Sequence, residues 1–150
     1  MILVLGAGKN QRIEGARHHD RYKFPGIDTV FDLNSDHWFI HTPMATRIIA
    51  THVIEHVDSL INFMDQAWTI LDIGGVLEIE TPNAGVNPDL THCDPTHVRC
   101  YRPYTFHNYF TPYGIEKFGY TSKAWRIIEV KTVQLEVPDD VIIAKLSPIK

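Results

Sequence analysis

The chain has 150 residues and 17.2 kDa, 44% hydrophobic and 21% charged, which suits one soluble domain around one core and is too short for two. Fourteen Lys and Arg against eighteen Asp and Glu leave a net charge of -4 and a pI near 6.1, so no bulk cationic field draws the chain onto nucleic acid or an acidic membrane. Acidic residues dominate up to Glu80 and the balance turns slightly basic beyond it, which directs any anionic partner to the second part.

Ile2 to Leu5 is a continuous aliphatic run closed by Gly6-Ala7-Gly8, the pattern of a strand buried on both faces of a parallel sheet and followed by a tight turn. It lacks the basic flank and length of a signal peptide, and no later run approaches the roughly 18 apolar residues of a spanning helix. A soluble, cytoplasmic protein is expected. Short β-compatible stretches at Ala16 to His19, Thr29 to Phe31 and Arg47 to Thr51 end in Asp20, Asp32 and His52, so each strand delivers a polar residue at its carboxyl end. Asp58 to Leu71 has helical apolar spacing, with Asp58 as N-cap and Gly74-Gly75 as the stop, and Val76 to Glu80 reads as the next strand. Strand, helix and strand in that order make a right-handed βαβ crossover and an α/β class.

Thr81-Pro82-Asn83 opens a loop to Pro103 that is long for a compact domain and therefore a place for function. Tyr104 to Phe110 predicts a short helix. Trp125 to Val137 and Val141 to Leu146, separated by Pro138-Asp139-Asp140, predict an antiparallel hairpin that closes the sheet edge. No repeat or linker interrupts the chain, so residues 1–150 read as a single domain.

The glycine turn at Gly6-Ala7-Gly8 lets the backbone approach a ligand closely. The dinucleotide fingerprint wants another glycine where Gln11 stands, and Lys9 to Gly15 is too short for a crossover helix, so no pyrophosphate cradle is expected. Ligands of open α/β sheets settle outside the carboxyl ends of the strands, where Asp20 can accept both hydroxyls of a ribose and Asp32, with Leu33-Asn34, can flank an adenine edge. Either aspartate alone is an ordinary turn residue or cap. Together with the glycine turn they outline a nucleoside pocket without a phosphate site.

His52, Glu55 and His56 would share one face of a helical turn, a way to bring metal ligands together. His-x-x-Glu-His is also the inverted zincin pattern, although here it follows a strand and is cut short by the next helix; hydrogen bonding of the loop is the plainer alternative. A second cluster, His92-Cys93-Asp94-Pro95-Thr96-His97-Val98-Arg99-Cys100, lacks the paired spacing of a zinc site. Its two cysteines make no disulfide framework and read as thiols of a reducing compartment. Asp94 and Thr96 are expected to make turn hydrogen bonds, with His97 and Arg99 facing the pocket. His41, His107, Trp38, Trp68 and Trp125 read as packing or surface residues.

These residues resemble a small class I S-adenosylmethionine-dependent methyltransferase. The likeness runs from Leu3-Val-Leu-Gly-Ala-Gly through Asp20, Asp32-Leu-Asn and Ala50-Thr-His-Val-Ile-Glu-His-Val to Leu71-Asp-Ile-Gly-Gly-Val-Leu-Glu-Ile-Glu-Thr-Pro-Asn and Asp94-Pro-Thr-His-Val-Arg. It implies a Rossmann-like, mostly parallel seven-stranded sheet with an antiparallel C-terminal hairpin. It also implies S-adenosylmethionine as cofactor, held by Gly6, Ala7, Gly8, Asp20, Asp32 and Leu33, with Thr51 and His52 beside the methionine part. Relatives that act on small RNAs or in the ubiquinone pathway bind a divalent metal through Glu-x-x-Glu-His, onto which His52, Glu55 and His56 fall, with His97 as the later loop histidine. His52 in place of glutamate shifts that expectation from magnesium toward zinc, iron or no metal. The family's helices before the first strand and after the glycine turn are missing or reduced here, which implies an open cleft, a homo-oligomer that supplies the missing wall, or a fold kept without activity.

Methyl transfer needs alignment of acceptor, methyl and sulfur, and a base for the acceptor's proton; His97 is the first choice and His52 the second. The acceptor is a small molecule, a glycan or a nucleic-acid terminus. Its choice rests with the loops 83–103 and 110–124, where Tyr101, Tyr104, Phe106, Tyr109 and Phe110 stack a planar acceptor or simply pack. An idle binding or assembly module and a metal-dependent hydrolase are the competing functions.

Overall fold

The computed structural model describes residues 1–86, 92–134 and 140–150. Seven strands form one sheet in the order β3-β2-β1-β4-β5-β7-β6. They are β1 (Ile2–Leu5), β2 (Ala16–Asp20), β3 (Thr29–Val30), β4 (Ala45–Thr51), β5 (Leu71–Pro82), β6 (Trp125–Gln134) and β7 (Asp140–Pro148). β1 to β5 pair in parallel, and β7 runs antiparallel to both β5 and β6. The parallel sheet with its antiparallel final hairpin is the architecture the sequence predicts; the residues between the two hairpin strands, Pro138 and Asp139 among them, lie outside the described ones.

Alternation along the strands sorts the core. Leu3, Leu5, Ile48, Ala50, Leu77, Ile79, Ile142 and Ala144 face helix α1 (Leu60–Ile70), whose Phe63, Met64 and Ala67 are fully buried against them. Of two short helices, α2 (Pro103–Tyr109) packs against β6 and β7, and α3 (Pro112–Phe118) packs against α2. The other sheet face is lightly covered: Val4, Ala7 and Ile27 form a small cluster under the loops of the first part. Over β4 and β5 that face is polar, where Arg47 grips Glu78 with two bonds of 2.9 and 2.8 Å.

Three expectations change. The cap of α1 is Ser59, whose Oγ accepts from Asn62 N at 3.2 Å; Asp58 stands one residue earlier, and its backbone N–H donates to Asn34 Oδ1 at 2.9 Å. Gly74-Gly75 does not stop the helix; β5 starts directly at Leu71, and the glycines lie inside it where the register against β4 shifts between Ala45 and Arg47. Helix α3 was not foreseen, although Thr111 caps it through Gly114 N and Pro112 opens it.

Between β1 and β2 there is no helix, as the shortness of Lys9 to Gly15 predicts. Side chains hold this stretch instead. Arg12 donates to the carbonyls of Ala7, Gly8, Gln11 and Pro25, tying the glycine turn to the loop before β3. His18 accepts from Ile13 N at 2.9 Å, and its own backbone N–H donates to Asp28 Oδ2 at 2.7 Å. That last bond is the main reason the Asp28 carboxyl sits below its ordinary range.

Candidate functional site

A hollow of about 410 Å³ opens at the carboxyl ends of the first strands. Gly6, Asp20, Asp32, Leu33 and His52 line it, so the structure brings five of the expected cofactor residues to one place. Ala7, Gly8 and Thr51 stand behind it. Ala7 is buried in the small second cluster, Gly8 acts through Asp20, and Thr51 Oγ1 accepts from Gln11 Nε2 at 3.3 Å.

The glycine turn needs its glycines for two reasons. Gly6 has φ 62, and a Cβ there would stand 2.6 Å from Val53 Cγ2, so the turn meets the segment after β4 only without a side chain. Gly8 has φ 57 and points its N–H at Asp20 Oδ2, 2.8 Å away, while Tyr22 N donates to Oδ1 at 2.9 Å. Asp20 is only 7% exposed, yet a carboxylate offers about four lone-pair positions, so two remain for hydroxyls of a ligand. Asp32 is more open. Its Oδ1 accepts from Asn34 N at 2.9 Å and its Oδ2 faces Arg21 Nη2 at 3.3 Å.

Sequence reasoning passed over Arg21, Tyr22 and His19, which line the same hollow. Arg21 and Tyr22 directly follow the strand-end aspartate, and that adjacency was the available signal; the guanidinium lies 5.4 Å from the Tyr22 ring centre. His19 stacks on Phe31 at 3.6 Å and its Nε2 bonds Phe31 O at 2.8 Å, leaving Nδ1 buried without a partner among the described residues. Burial pulls this imidazole below its ordinary pKa, against the raising influence of Phe31 O, Asp20 and Asp32.

At the other end of the hollow stands His52, with φ 53, the one non-glycine residue in the left-handed region among the described ones. That conformation costs on the order of 1–2 kcal/mol for a residue with a Cβ. It is held from several sides: His52 N donates to Glu80 O at 2.9 Å, Nδ1 lies 3.2 Å from Glu55 Oε1, and Nε2 lies 3.5 Å from Glu80 Oε1. Glu55 sits in the 3₁₀ turn Ile54–His56 and is 1% exposed.

Of the expected metal ligands, Glu55, His56 and His97 come together, with donor atoms within 4.8 Å of one another. His52 stands outside that trio and packs its ring against Glu55. His56 Nδ1 donates toward Thr96 O at 3.2 Å, which leaves Nε2 as the lone-pair nitrogen. Thr96 in turn donates to Asp94 Oδ1 from its hydroxyl at 2.6 Å and from its backbone at 2.8 Å, the expected turn bonds, and these hold the Asp94 carboxyl below the usual range. His97 lies edge-on to His56, with ring centres 4.8 Å apart.

Thr96, not His97, lines the hollow from this loop. Arg99 turns away from it: its Nε donates to Asp58 O at 3.1 Å, and it borders a second hollow of about 320 Å³ with Tyr101, Tyr109 and Tyr120. Tyr101, Phe106 and Phe110 are buried packing residues and Tyr104 is exposed. The Tyr101 hydroxyl donates to Ile54 O at 3.0 Å, and burial raises its pKa well above the ordinary phenol value. Cys100 Sγ lies 3.5 Å from His92 Nδ1, and neither cysteine belongs to a metal-ligand group among the described residues.

No family model matches the chain, and no curated protein matches it. Solved structures do. A methyltransferase dependent on S-adenosylmethionine from Archaeoglobus fulgidus aligns with a TM-score of 0.60 at 17% identity over 96% of this chain and 85% of its own. The N-methyltransferase NodS of Bradyrhizobium japonicum, in complex with S-adenosylhomocysteine, aligns with a TM-score of 0.65 at 13% identity over 99% of this chain and 78% of its own. An O-methyltransferase of neocarzinostatin biosynthesis, bound to S-adenosylmethionine, gives 0.63 at 11% identity over 99% of this chain and 48% of its own. The chain therefore has the class I methyltransferase fold. Among the described residues no helix is long and apolar enough to cross a membrane.

Proposed function

We propose that this chain transfers a methyl group from S-adenosylmethionine to an oxygen or nitrogen acceptor. The observation that carries the reading is the convergence of the glycine turn, Asp20 and Asp32 on one open hollow whose volume, about 410 Å³, falls in the usual range for small-molecule sites. Asp20, pinned by two backbone N–H groups, presents its remaining lone pairs to ribose hydroxyls. Asp32 and Leu33 flank the adenine, with Tyr22 as an aromatic wall. The cofactor supplies an electrophilic methyl group on a sulfonium.

His52 takes the role of base in preference to His97, because it lines the hollow while His97 is turned onto His56. The acceptor is a small molecule, a glycan or a nucleic-acid terminus; neighbours that act on nitrogen and on oxygen share this fold, so the fold does not choose the atom. The two thiols fit a cytoplasmic setting.

A second reading is favoured by the trio Glu55, His56 and His97. Two imidazoles and one carboxylate suit zinc or iron better than magnesium, and the hold of Thr96 on His56 is the outer support such a ligand needs. A metal there would polarise an acceptor oxygen.

Calorimetry tests both readings in one protein. S-adenosylhomocysteine is expected to bind in the micromolar range, and Asp20→Asn, which keeps the shape but not the charge, to weaken it about tenfold or more. No heat at millimolar ligand would leave the idle binding module. Stoichiometric zinc uptake that His56→Ala abolishes supports the metal; no uptake removes it.

A further inference from the structure

We infer that the second hollow is a binding site in its own right, for a small planar aromatic ring that carries one carboxylate. It holds about 320 Å³ and shares no lining residue with the first hollow. The segment 57–59 runs between the two, since Val57 lines the first and Ser59 the second. The start of α1, the stretch from Arg99 to Tyr101, the end of α2 and Tyr120 enclose it. The inference stands apart from the methyltransferase reading.

The charge of the lining selects the acid group. Among the described residues Arg99 is the one lining side chain that is charged at neutral pH, and no carboxylate lines the hollow, although the whole chain carries a net charge of -4. Its guanidinium is held in place. Nε donates to Asp58 O at 3.1 Å, and the backbone around it is fixed by Val98 N, which donates to Glu55 O at 2.9 Å, and by the Tyr101 hydroxyl, which donates to Ile54 O at 3.0 Å. The terminal nitrogens Nη1 and Nη2 meet no acceptor among the described residues. An outer guanidinium edge left unspent matches the two oxygens of one carboxylate, a fit that an ammonium does not give. Because the arginine is already anchored, little side-chain freedom is lost when the acid arrives.

The walls select a flat ring. Tyr101 and Phe110 are 5% and 2% exposed, and Leu60 adds an aliphatic face. Tyr109 and Tyr120 join them with ring centres 6.0 Å apart, and Phe118 of α3 braces both, at 4.9 Å from Tyr109 and 5.7 Å from Tyr120. That bracing keeps the Tyr120 ring in place although it is 58% exposed, and an aromatic guest would cover it. A polymer suits the place less well. Single-stranded nucleic acid is held by a row of cations that follows its phosphates, and here one guanidinium stands among neutral residues. The small volume and the single charge fit one ring system and one acid group.

The test titrates the full chain with naphthoate, read by ligand-observed NMR, beside naphthamide, which has the same shape and no charge. Naphthoate is expected to bind with a dissociation constant of about a millimolar or below, the reach of a ligand with so few atoms. Naphthamide is expected to bind about tenfold more weakly, and Arg99→Met to weaken naphthoate by about the same factor, because each removes one side of the charge-assisted pair. Arg99→Lys keeps the charge without the fork and falls between. Tyr120→Ala is expected to cost about fivefold through the lost ring contact. Both side chains are exposed, so these variants keep the fold. Saturating S-adenosylhomocysteine is expected to leave naphthoate bound. No binding of naphthoate, equal affinity for naphthamide, or unchanged affinity in Arg99→Met overturns the inference. Displacement by S-adenosylhomocysteine also overturns it, since the ring would then sit in the first hollow. Binding of oligothymidylate in place of naphthoate would assign the surface to single-stranded nucleic acid and sink the inference as well. Failure of S-adenosylhomocysteine to bind at all would remove the methyltransferase reading and leave the Arg99 variants to decide this one.

Discussion

The two flanks of the sheet are built on different principles. β5, β6 and β7 contain 12, 10 and 9 residues and hold one another through long ladders, with Leu77, Ile79, Ile142, Ala144 and Leu146 almost wholly buried. β2 and β3 contain 5 and 2 residues, and the loops around them are held by side chains that reach backbone groups: Arg12 to four carbonyls, His18 to Ile13 N, Asp28 to His18 N, Asp20 to Gly8 N. The difference follows from the task. A ladder uses up its donors and acceptors, whereas a ligand hollow must leave some backbone and carboxylate capacity unspent. Side chains therefore fix the shape of the hollow, and the long strands supply the stability on which it rests.

The sharpest way to break this contrast is to damage the ladder flank. Leu77→Ala opens a cavity at a position with 0% exposure and is expected to cost about 2–5 kcal/mol, read as a fall in the urea midpoint. The affinity of the folded protein for S-adenosylhomocysteine should stay unchanged. If binding falls in proportion to stability, the two flanks are one cooperative unit and the contrast is empty.

Arg12→Ala is the reciprocal substitution. Its side chain is exposed and its bonds go to carbonyls that water can also reach, so the expected loss of stability is only about 1 kcal/mol. Binding should suffer more, about tenfold, because the glycine turn loses its tie to the loop before β3 and Gly8 no longer holds Asp20 in place. Arg12→Lys should not restore it, since one ammonium cannot span four separated carbonyls as a guanidinium does. Equal losses in stability and affinity would show that the turn needs no such tie.

The two flanks were also unequally legible in the sequence. Ile2 to Leu5, the apolar stripe of α1 and the final hairpin carry their own periodicity, so their existence and their order followed from local pattern. The end of β5 nearest α1 did not. Gly74-Gly75 looks like a helix stop, and only the pairing of β4 with β5 shows it to be a bulge inside a strand. Asp58 and Ser59 are adjacent and both of capping type, so residue type alone does not choose between them; in the structure it is Ser59 Oγ that accepts from Asn62 N. In the site, Asp20 and Asp32 were legible because a polar residue at the end of an apolar strand has few other places to be. His97 was not. Its position depends on how the loop folds back, with Val98 N donating to Glu55 O at 2.9 Å, a contact across more than forty residues that no local pattern encodes.

The gentlest probe is a change of protonation at one buried ring. His19 donates from Nε2 to Phe31 O, so the proton it would gain belongs on Nδ1, which is buried and meets no acceptor among the described residues. Its folded pKa therefore lies below the unfolded value of 6.5. Above that value both states leave the imidazole neutral and its contribution to stability is fully present. As the pH falls from 6.5 toward the folded pKa, the unfolded chain takes up the proton and the native one does not, so stability declines; below the folded pKa the decline stops. Urea midpoints measured downward from neutral pH should show this slope, and His19→Gln should remove part of it while the contribution of the other histidines remains. Arg47 on β4, bonded to Glu78 of the ladder flank, gives no such signal, because those bonds raise a guanidinium that is charged throughout this range. An identical slope in His19→Gln would mean that His19 takes up its proton equally in the folded and unfolded states, and that the pH sensitivity of the fold is set elsewhere.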